Sequence, residues 1–477
     1  MLSLEAKIGQ LLMFGFTGTT VSPHIKEFIV KHNLGGVIHF AHNVQDPNQL
    51  THLNQEFQNL AKLSPSGSGL IIAVDQEGGT VARLTAGVTV LPSAMALGAI
   101  DSAEITEKVC AVAGLELRAT GINMNLAPVV DVNNNPLNPV IGVRSFGENA
   151  ESVARLGAAA IRGYQRHVAA VAKHFPGHGD TDLDSHLALP VIQHSRERLD
   201  QVELLPFKEA IAQGVTGIMT AHVVFPAIED TPGLPSTLSY QVLTKLLREE
   251  LGFEGLIMTD CMEMAAIKET YGTVEAAVMA IEAGADMVLI SQTEELQSSA
   301  FTALVAAVRS GRIAEERIDQ SLARVRRAKE ALQWEQPELA VVGSQGHVEV
   351  VREAIRRSIT LVRRQDNLPL GNERVLVVEP IRKAASIAED VLMNMGTLSL
   401  SLKANGLVNV AECPVEMEIS SEDHHAILAQ AQGYDKIVVV TSDAHRHEGQ
   451  ARLVHDLVEN GSDVIIVGNR TPYELAA

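Results

Sequence analysis

Short apolar runs alternate along the chain with stretches of helical periodicity. The runs are LLMFGF (11–16), GGVIHF (35–40), LIIAVD (70–75), MNLAPVV (124–130), VAAVA (168–172), TGIMTA (216–221), LIMTD (256–260) and DMVLI (286–290). Amphipathic segments lie between them, among them residues 47–63, 103–120, 150–167 and 238–251. Strands that are apolar throughout, separated by helices, predict a parallel sheet buried on both faces. Eight such repeats in about 300 residues predict a (β/α)8 TIM-type barrel. An open doubly wound sheet is the alternative, but no G-x-G-x-x-G follows an early strand.

The polar positions fall where such a barrel keeps its chemistry, at the C-terminal ends of strands. Asp75-Gln76-Glu77-Gly78-Gly79 follows the third run, Asp131 the fourth, Lys173-His174 the fifth, His222 the sixth and Asp260 ends the seventh. The densest stretch is 173–186, KHFPGHGDTDLDSH, with three His, three Asp, one Lys and two Gly. A strand positions such a loop while the loop itself can move. Asp184 and His186 are two apart, so in extended backbone their side chains point the same way. Asp184 can then fix the tautomer of His186 and raise its pKa, as a general acid near neutrality requires. Two other readings stay open: an ordinary polar connection, and a metal site made from His174, His178, Asp180, Asp184 and His186. Against the metal, no His-x-His marks the first strand end.

Asp260 is either a helix N-cap or a nucleophile facing the barrel mouth. Cys261 beside it reads as packed, and Glu263 as a structural or reserve carboxylate. Asp75, Arg83 and Arg144 (in GVRSFG, 142–147) bring one acceptor and two cations to the same end, which suits a polyhydroxylated ligand. His222 either lines the mouth or caps the core.

Beyond Leu332 the pattern changes. Residues 334–346 contain Pro337, Gly343 and Gly346 and read as a linker. A helix over 348–358 follows, then ITLVRR, RVLVVEP, KIVVVTSD and DVIIVGN. The expected division is a catalytic barrel over 1–335, a linker over 336–346 and a smaller α/β sandwich domain over 347–477. That second domain is short for a closed sandwich, which suggests a truncated C-terminus or a partner subunit over its edge.

Composition narrows the function. The chain has 477 residues, 46% of them hydrophobic, and a net charge of −20. It has no long block of Lys or Arg, which argues against nucleic acid and anionic membranes as partners. Three cysteines far apart suit a reducing compartment rather than a disulfide framework. The N-terminal MLSLEAKIGQLLMFGFTG lacks a basic leader region, and no apolar run approaches the roughly 20 residues of a membrane span, so a cytoplasmic location is expected.

VDQEGG-x3-R (74–83), GVRSFG, KHFPGHGDT-x2-DSH and the LIMTD strand end together resemble glycoside hydrolase family 3, in its β-N-acetylglucosaminidase (NagZ-like) branch, over about residues 5–335. The resemblance implies a retaining β-N-acetylhexosaminidase. Asp260 matches the nucleophile, His186 the acid/base and Asp184 its partner. Asp75, Arg83, Arg144, Lys173 and His174 match positions that hold the N-acetylglucosamine ring, and His222 is a further candidate contact. No cofactor and no metal is implied. The expected partner is an N-acetylglucosamine-containing saccharide, a muropeptide of peptidoglycan recycling or a chito-oligosaccharide. Gly177 and Gly179 are expected to let the loop swing. A neutral imidazole in the second step repels an anionic acceptor less than a carboxylate does, so phosphorolysis is the alternative. A non-catalytic sugar-binding protein and a metal-dependent hydrolase are the remaining readings.

Overall fold

The computed structural model describes residues 2–185, 187–332, 335–363, 368–381, 383–384, 386–390 and 397–476. Its chain forms two compact units: residues 1–359 with 386–390, and residues 360–385 with 391–477.

The eight apolar runs all become strands of the first unit. They are β1 (Leu12–Phe14), β2 (Gly36–His39), β3 (Ile71–Val74), β4 (Met124–Asn125), β5 (Ala169–Phe175), β6 (Gly217–Thr220), β7 (Leu256–Cys261) and β8 (Met287–Ile290). Each pairs in parallel with its sequence neighbours, and β1 pairs with β8 to close the barrel. Alternation sorts the side chains between two cores. Met13, Ile38, Ala73, Met124, Val171, Met219, Met258 and Met287 fill the barrel interior. Leu12, Val37, Ile72, Ala172, Ile218, Ile257 and Val288 face the helices outside. Unbranched methionines suit the tapering interior because they adapt to irregular gaps.

The helices start where their caps predict. Asp46 accepts from the N–H groups of Asn48 and Gln49 at 2.8 and 3.0 Å, with Pro47 opening the helix Pro47–Ala61. The segment expected over 238–251 forms a short 3-10 turn, Ser236–Leu238, and then a π-helix, Gln241–Glu250. The helix Gln345–Ser358 buries Val351 and Ala354 in the barrel's outer core. The barrel unit therefore runs past the linker expected at 336–346, because this helix has an apolar face that the barrel's helices cover. Trp334, where the linker-like stretch 334–346 begins, lies outside the described residues. No helix among the described residues is long and apolar enough to cross a membrane.

The second unit holds a parallel sheet of β9 (Val375–Pro380), β10 (Val410–Val415), β11 (Lys436–Thr441) and β12 (Val464–Gly468), in the order β10-β9-β11-β12. Leu376, Val378, Ile437 and Val439 pack on one face with Ile427 and Leu453. Val375, Val377, Val438 and Val440 pack on the other with Leu398 and Leu402. Both faces are thus covered, as an α/β sandwich requires. ITLVRR is not one of these strands: Ile359, Leu361 and Val362 are exposed. The fourth strand is instead VAECPV, which the apolar pattern missed. An edge strand tolerates Glu412 and Pro414 because one side needs no ladder partner.

Candidate active site

The inward rows of several barrel strands continue past their ends into a cavity of about 500 Å³. In β3, Ile71 and Ala73 point inward, so Asp75 follows them. In β7, Leu256 and Met258 do the same for Asp260, and in β8 Met287 and Leu289 for Ser291. β5 departs from strict alternation. Its pairing with β6 slips between Ala172 and Phe175, and as a result both Lys173 and His174 reach the cavity.

Four charged side chains form one buried network in the wall. Lys173 Nζ donates to Asp75 Oδ1 at 2.6 Å and pairs with Glu77 Oε1 at 2.7 Å. Arg144 clasps Glu77 with two parallel bonds, both 2.8 Å. Burial alone would push the Glu77 carboxyl up, but Arg144 and Lys173 outweigh it and hold it well below the usual range. Burial disfavours the Lys173 charge, yet Asp75 and Glu77 leave its pKa raised. Arg83 lies 3.7 Å from Asp75, stacks over Phe40 at 5.7 Å and also pairs with Asp390. Arg83 Nη1 donates to the Ala388 carbonyl at 3.2 Å, and the Asp390 N–H donates to the Thr80 carbonyl at 2.8 Å. The short segment 386–390 thereby joins the hairpin Gln76–Gly78/Val81–Ala82 at the mouth.

Asp131 organises the loop after β5. Its carboxylate accepts from His174 Nδ1 at 2.7 Å and from the His178 backbone N–H at 2.7 Å. Burial pushes Asp131 up, and His174 beside it more than compensates, leaving its pKa lowered. Arg144 Nη2 stands 3.4 Å from His174 Nε2. A guanidinium only donates, so Nε2 accepts and the ring proton sits on Nδ1, toward Asp131. His178 clips the loop to itself, meeting Thr181 Oγ1 at 3.0 Å and Ser185 Oγ at 2.9 Å. Burial, with His174 nearby, pushes the His178 imidazole down to about 4, so it is neutral there. The Ala266 N–H reaches back to the Ser185 carbonyl at 3.4 Å, tying the loop to the turn after β7.

Asp75, Arg83, Arg144, Lys173, His174 and Asp260 thus line one cavity, and Ser185 lines it with them. Asp184 is buried directly before Ser185. His186 lies outside the described residues. His222 is not part of the cavity wall. It is 1% exposed, its Nδ1 meets Thr237 Oγ1 at 2.8 Å and its Nε2 meets the Cys261 carbonyl at 3.0 Å. Both ring nitrogens thus meet protein groups, and the contact to the Cys261 carbonyl ties His222, the further candidate contact, to the end of β7. Cys261 is packed: burial pushes its thiol up to about 11, and Sγ sits 2.8 Å from Ser291 Oγ. Glu263 accepts from the N–H groups of Gln292 and Thr293 at 2.6 and 3.1 Å, which occupies it at the start of the next helix. A Cβ on Gly179 would sit 1.8 Å from the Val132 carbonyl oxygen, so this glycine permits a close backbone approach. Of the residues of the metal reading, His174 and His178 have their ring nitrogens engaged as described and Asp180 pairs with His194, while His186 lies outside the described residues.

The family model described as "Glycosyl hydrolase family 3 N terminal domain" matches residues 3–328. The chain belongs to glycoside hydrolase family 3. Within family 3 it is of the NagZ-like type. "Beta-hexosaminidase A" of Pseudoalteromonas piscicida is 36% identical over 416 residues, 82% of this chain and 70% of that protein. The solved family 3 β-N-acetylglucosaminidase from Paenibacillus sp. str. FPU-7 is 44% identical with a TM-score of 0.94, covering 100% of this chain and 92% of its own. NagZ from Neisseria gonorrhoeae, solved with N-trifluoroacetyl-D-glucosamine, is 32% identical with a TM-score of 0.59 over 73% of this chain and 97% of its own. The chain is an enzyme, a glycoside hydrolase.

Proposed function

We propose that this family 3 chain is a retaining β-N-acetylglucosaminidase acting on terminal β-linked N-acetylglucosamine of muropeptides or chito-oligosaccharides. Asp260 attacks the anomeric carbon while His186, oriented by Asp184, protonates the leaving oxygen, giving a glycosyl-aspartate. Neutral His186 then takes a proton from water, which attacks the same carbon and restores the β configuration. Asp75, Arg83, Arg144, Lys173 and His174 hold the sugar ring. The barrel unit, residues 1–359 with 386–390, carries the chemistry in this reading, and the second unit is accessory. The observation that carries it is the shared cavity. Asp260 and Ser185, the neighbour of His186, open onto one space whose wall offers a carboxylate and cations suited to sugar hydroxyls. The names of the relatives point to the same substrate class.

The test is turnover of p-nitrophenyl N-acetyl-β-glucosaminide against the plain β-glucoside. The N-acetyl substrate is expected to win, Asp260→Asn to lose about 10³-fold or more in kcat, and His186→Ala about 10²–10⁴-fold. Preference for the plain glucoside overturns the branch assignment. A wild type with no turnover on either glycoside supports the sugar-binding reading. In phosphate buffer, free N-acetylglucosamine is the expected product; N-acetylglucosamine 1-phosphate as the main product overturns hydrolysis.

A further inference from the structure

Beside the cavity, a second group of titratable side chains gathers where the loop after β5 meets the helix Arg196–Gln201. One ligating atom each from Asp180, His194 and Glu203 falls within 4.8 Å of the others. His194 Nε2 and Asp180 Oδ2 are 2.6 Å apart. Glu203 is 3% exposed; its Oε1 pairs with Arg198 Nη2 at 3.3 Å, and among the described residues its Oε2 is buried with no hydrogen-bond partner. A buried carboxylate oxygen left unmatched costs free energy unless something positive meets it. We propose that Asp180, His194 and Glu203 form a divalent-cation site of the zinc class that fastens the loop after β5 to the barrel wall.

The donor set selects the metal. One imidazole and two carboxylates suit Zn²⁺, and its first-row neighbours by the same chemistry, whereas Ca²⁺ and Mg²⁺ want oxygen alone. Coordination needs no new strand or helix position, because His194 and Asp180 already touch. The ion takes the place of the proton they share, which passes to solvent, and Glu203 Oε2 supplies the third bond. Glu203 also packs where the loop begins: a Cβ on Gly177 would lie 3.0 Å from the Glu203 Cβ. Burial holds the Glu203 carboxyl above its ordinary value, the state a nearby cation reverses. Asp180 lies between Gly177 and Ser185, so a metal there restrains the stretch that leads into His186. That consequence for turnover rests on the proposed acid/base role of His186; the binding does not.

The full-length protein is stripped with chelator and titrated with ZnCl₂ by calorimetry and with CoCl₂ by visible absorption. The wild type is expected to bind about one equivalent, with a Co²⁺ spectrum of a nitrogen–oxygen site. His194→Ala and Glu203→Gln are each expected to weaken that binding at least about tenfold. His455→Ala, in the exposed His455, Asp456 and Glu459 group, is expected to leave it unchanged. Unfolding midpoints confirm that each variant is folded, and His194→Gln replaces any that is not. Absence of saturable binding by the wild type, or binding untouched by both site variants, overturns the proposal. Separately, ZnCl₂ is expected to lower wild-type kcat and to spare that of His194→Ala. Zinc binding without that loss keeps the site and removes its link to the swinging acid.

Discussion

At the residue scale, Glu77 holds two cations of the cavity wall at once. It neutralises Arg144 and shares Lys173 with Asp75, in a wall that water barely reaches. Removing one partner of a buried charge network strands the others, at a typical cost of about 3–5 kcal/mol. Glu77→Gln is therefore expected to lower the urea midpoint strongly. It is also expected to raise KM more than it lowers kcat, because Lys173 and Arg144 lose their fixed positions. His178 gives a pH signature. Its imidazole is held down to about 4 when folded, against roughly 6.5 unfolded. Above pH 6.5 both states are neutral and the fold keeps its full stability. As pH falls from 6.5 to 4 the unfolded chain takes up the proton first, and stability drops by on the order of 3 kcal/mol. Denaturant titrations across that window are expected to show the drop, with a shallower slope in His178→Gln. His39, also held down to about 4 by burial, adds a parallel share.

Strand β5 and the loop after it show what the sequence could disclose at the scale of elements. Apolar runs located all eight barrel strands, because strands buried on both faces leave an unbroken hydrophobic signature. The inward row was legible too: Asp75, Lys173 and Asp260 fall one step past the last apolar residue of their rows. Glu77 was not singled out because it sits beyond β3 on a small hairpin, whose direction depends on turn geometry rather than period. Asp131 was noted only as a polar strand end, since nothing local shows that its carboxylate turns back to His174 and His178. For Asp131 the available signal was a charged residue inside an otherwise apolar stretch, 129–132. Asp390 gave none: it meets Arg83 across 307 residues. The loop glycines carry the element-scale prediction. Gly179→Ala drives a Cβ into the Val132 carbonyl oxygen, and the backbone on both sides is fixed by Asn138, which donates to the His178 and Gly179 carbonyls at 2.9 Å each. The loop must shift, so kcat is expected to fall at least about tenfold for a stability cost of about 1–3 kcal/mol. Wild-type kcat in Gly179→Ala would show that the close approach has no catalytic consequence.

The barrel divides its labour between its two ends at the scale of the whole molecule, and the division can be tested with one aspartate from each. Asp286 precedes β8, at the N-terminal end. It is fully buried, accepts from Ser321 Oγ at 2.6 Å and the Ile257 N–H at 3.1 Å, and faces Arg248, Arg317 and Arg324. Three guanidiniums balanced on one carboxylate make it a keystone of stability, far from the cavity wall. Asp390 stands at the opposite end, where it accepts from Arg83 and from the Ala82 N–H. Burial raises its pKa even though Arg83 pulls the other way, so its charge is held at some cost. Asp286→Ala is expected to lose about 3–5 kcal/mol of stability, with kcat of the folded fraction within about twofold of wild type. Asp390→Ala is expected to do the reverse. Arg83 then loses the carboxylate that holds it from the 386–390 side and moves within the mouth, so kcat/KM falls by about 1–2 kcal/mol, roughly five- to thirtyfold, for little change in the unfolding midpoint. Measuring both quantities in both variants decides the matter. If Asp390→Ala loses stability and keeps its kcat/KM, the segment 386–390 is a brace for the hairpin, and Arg83 owes its place at the cavity mouth to Asp75.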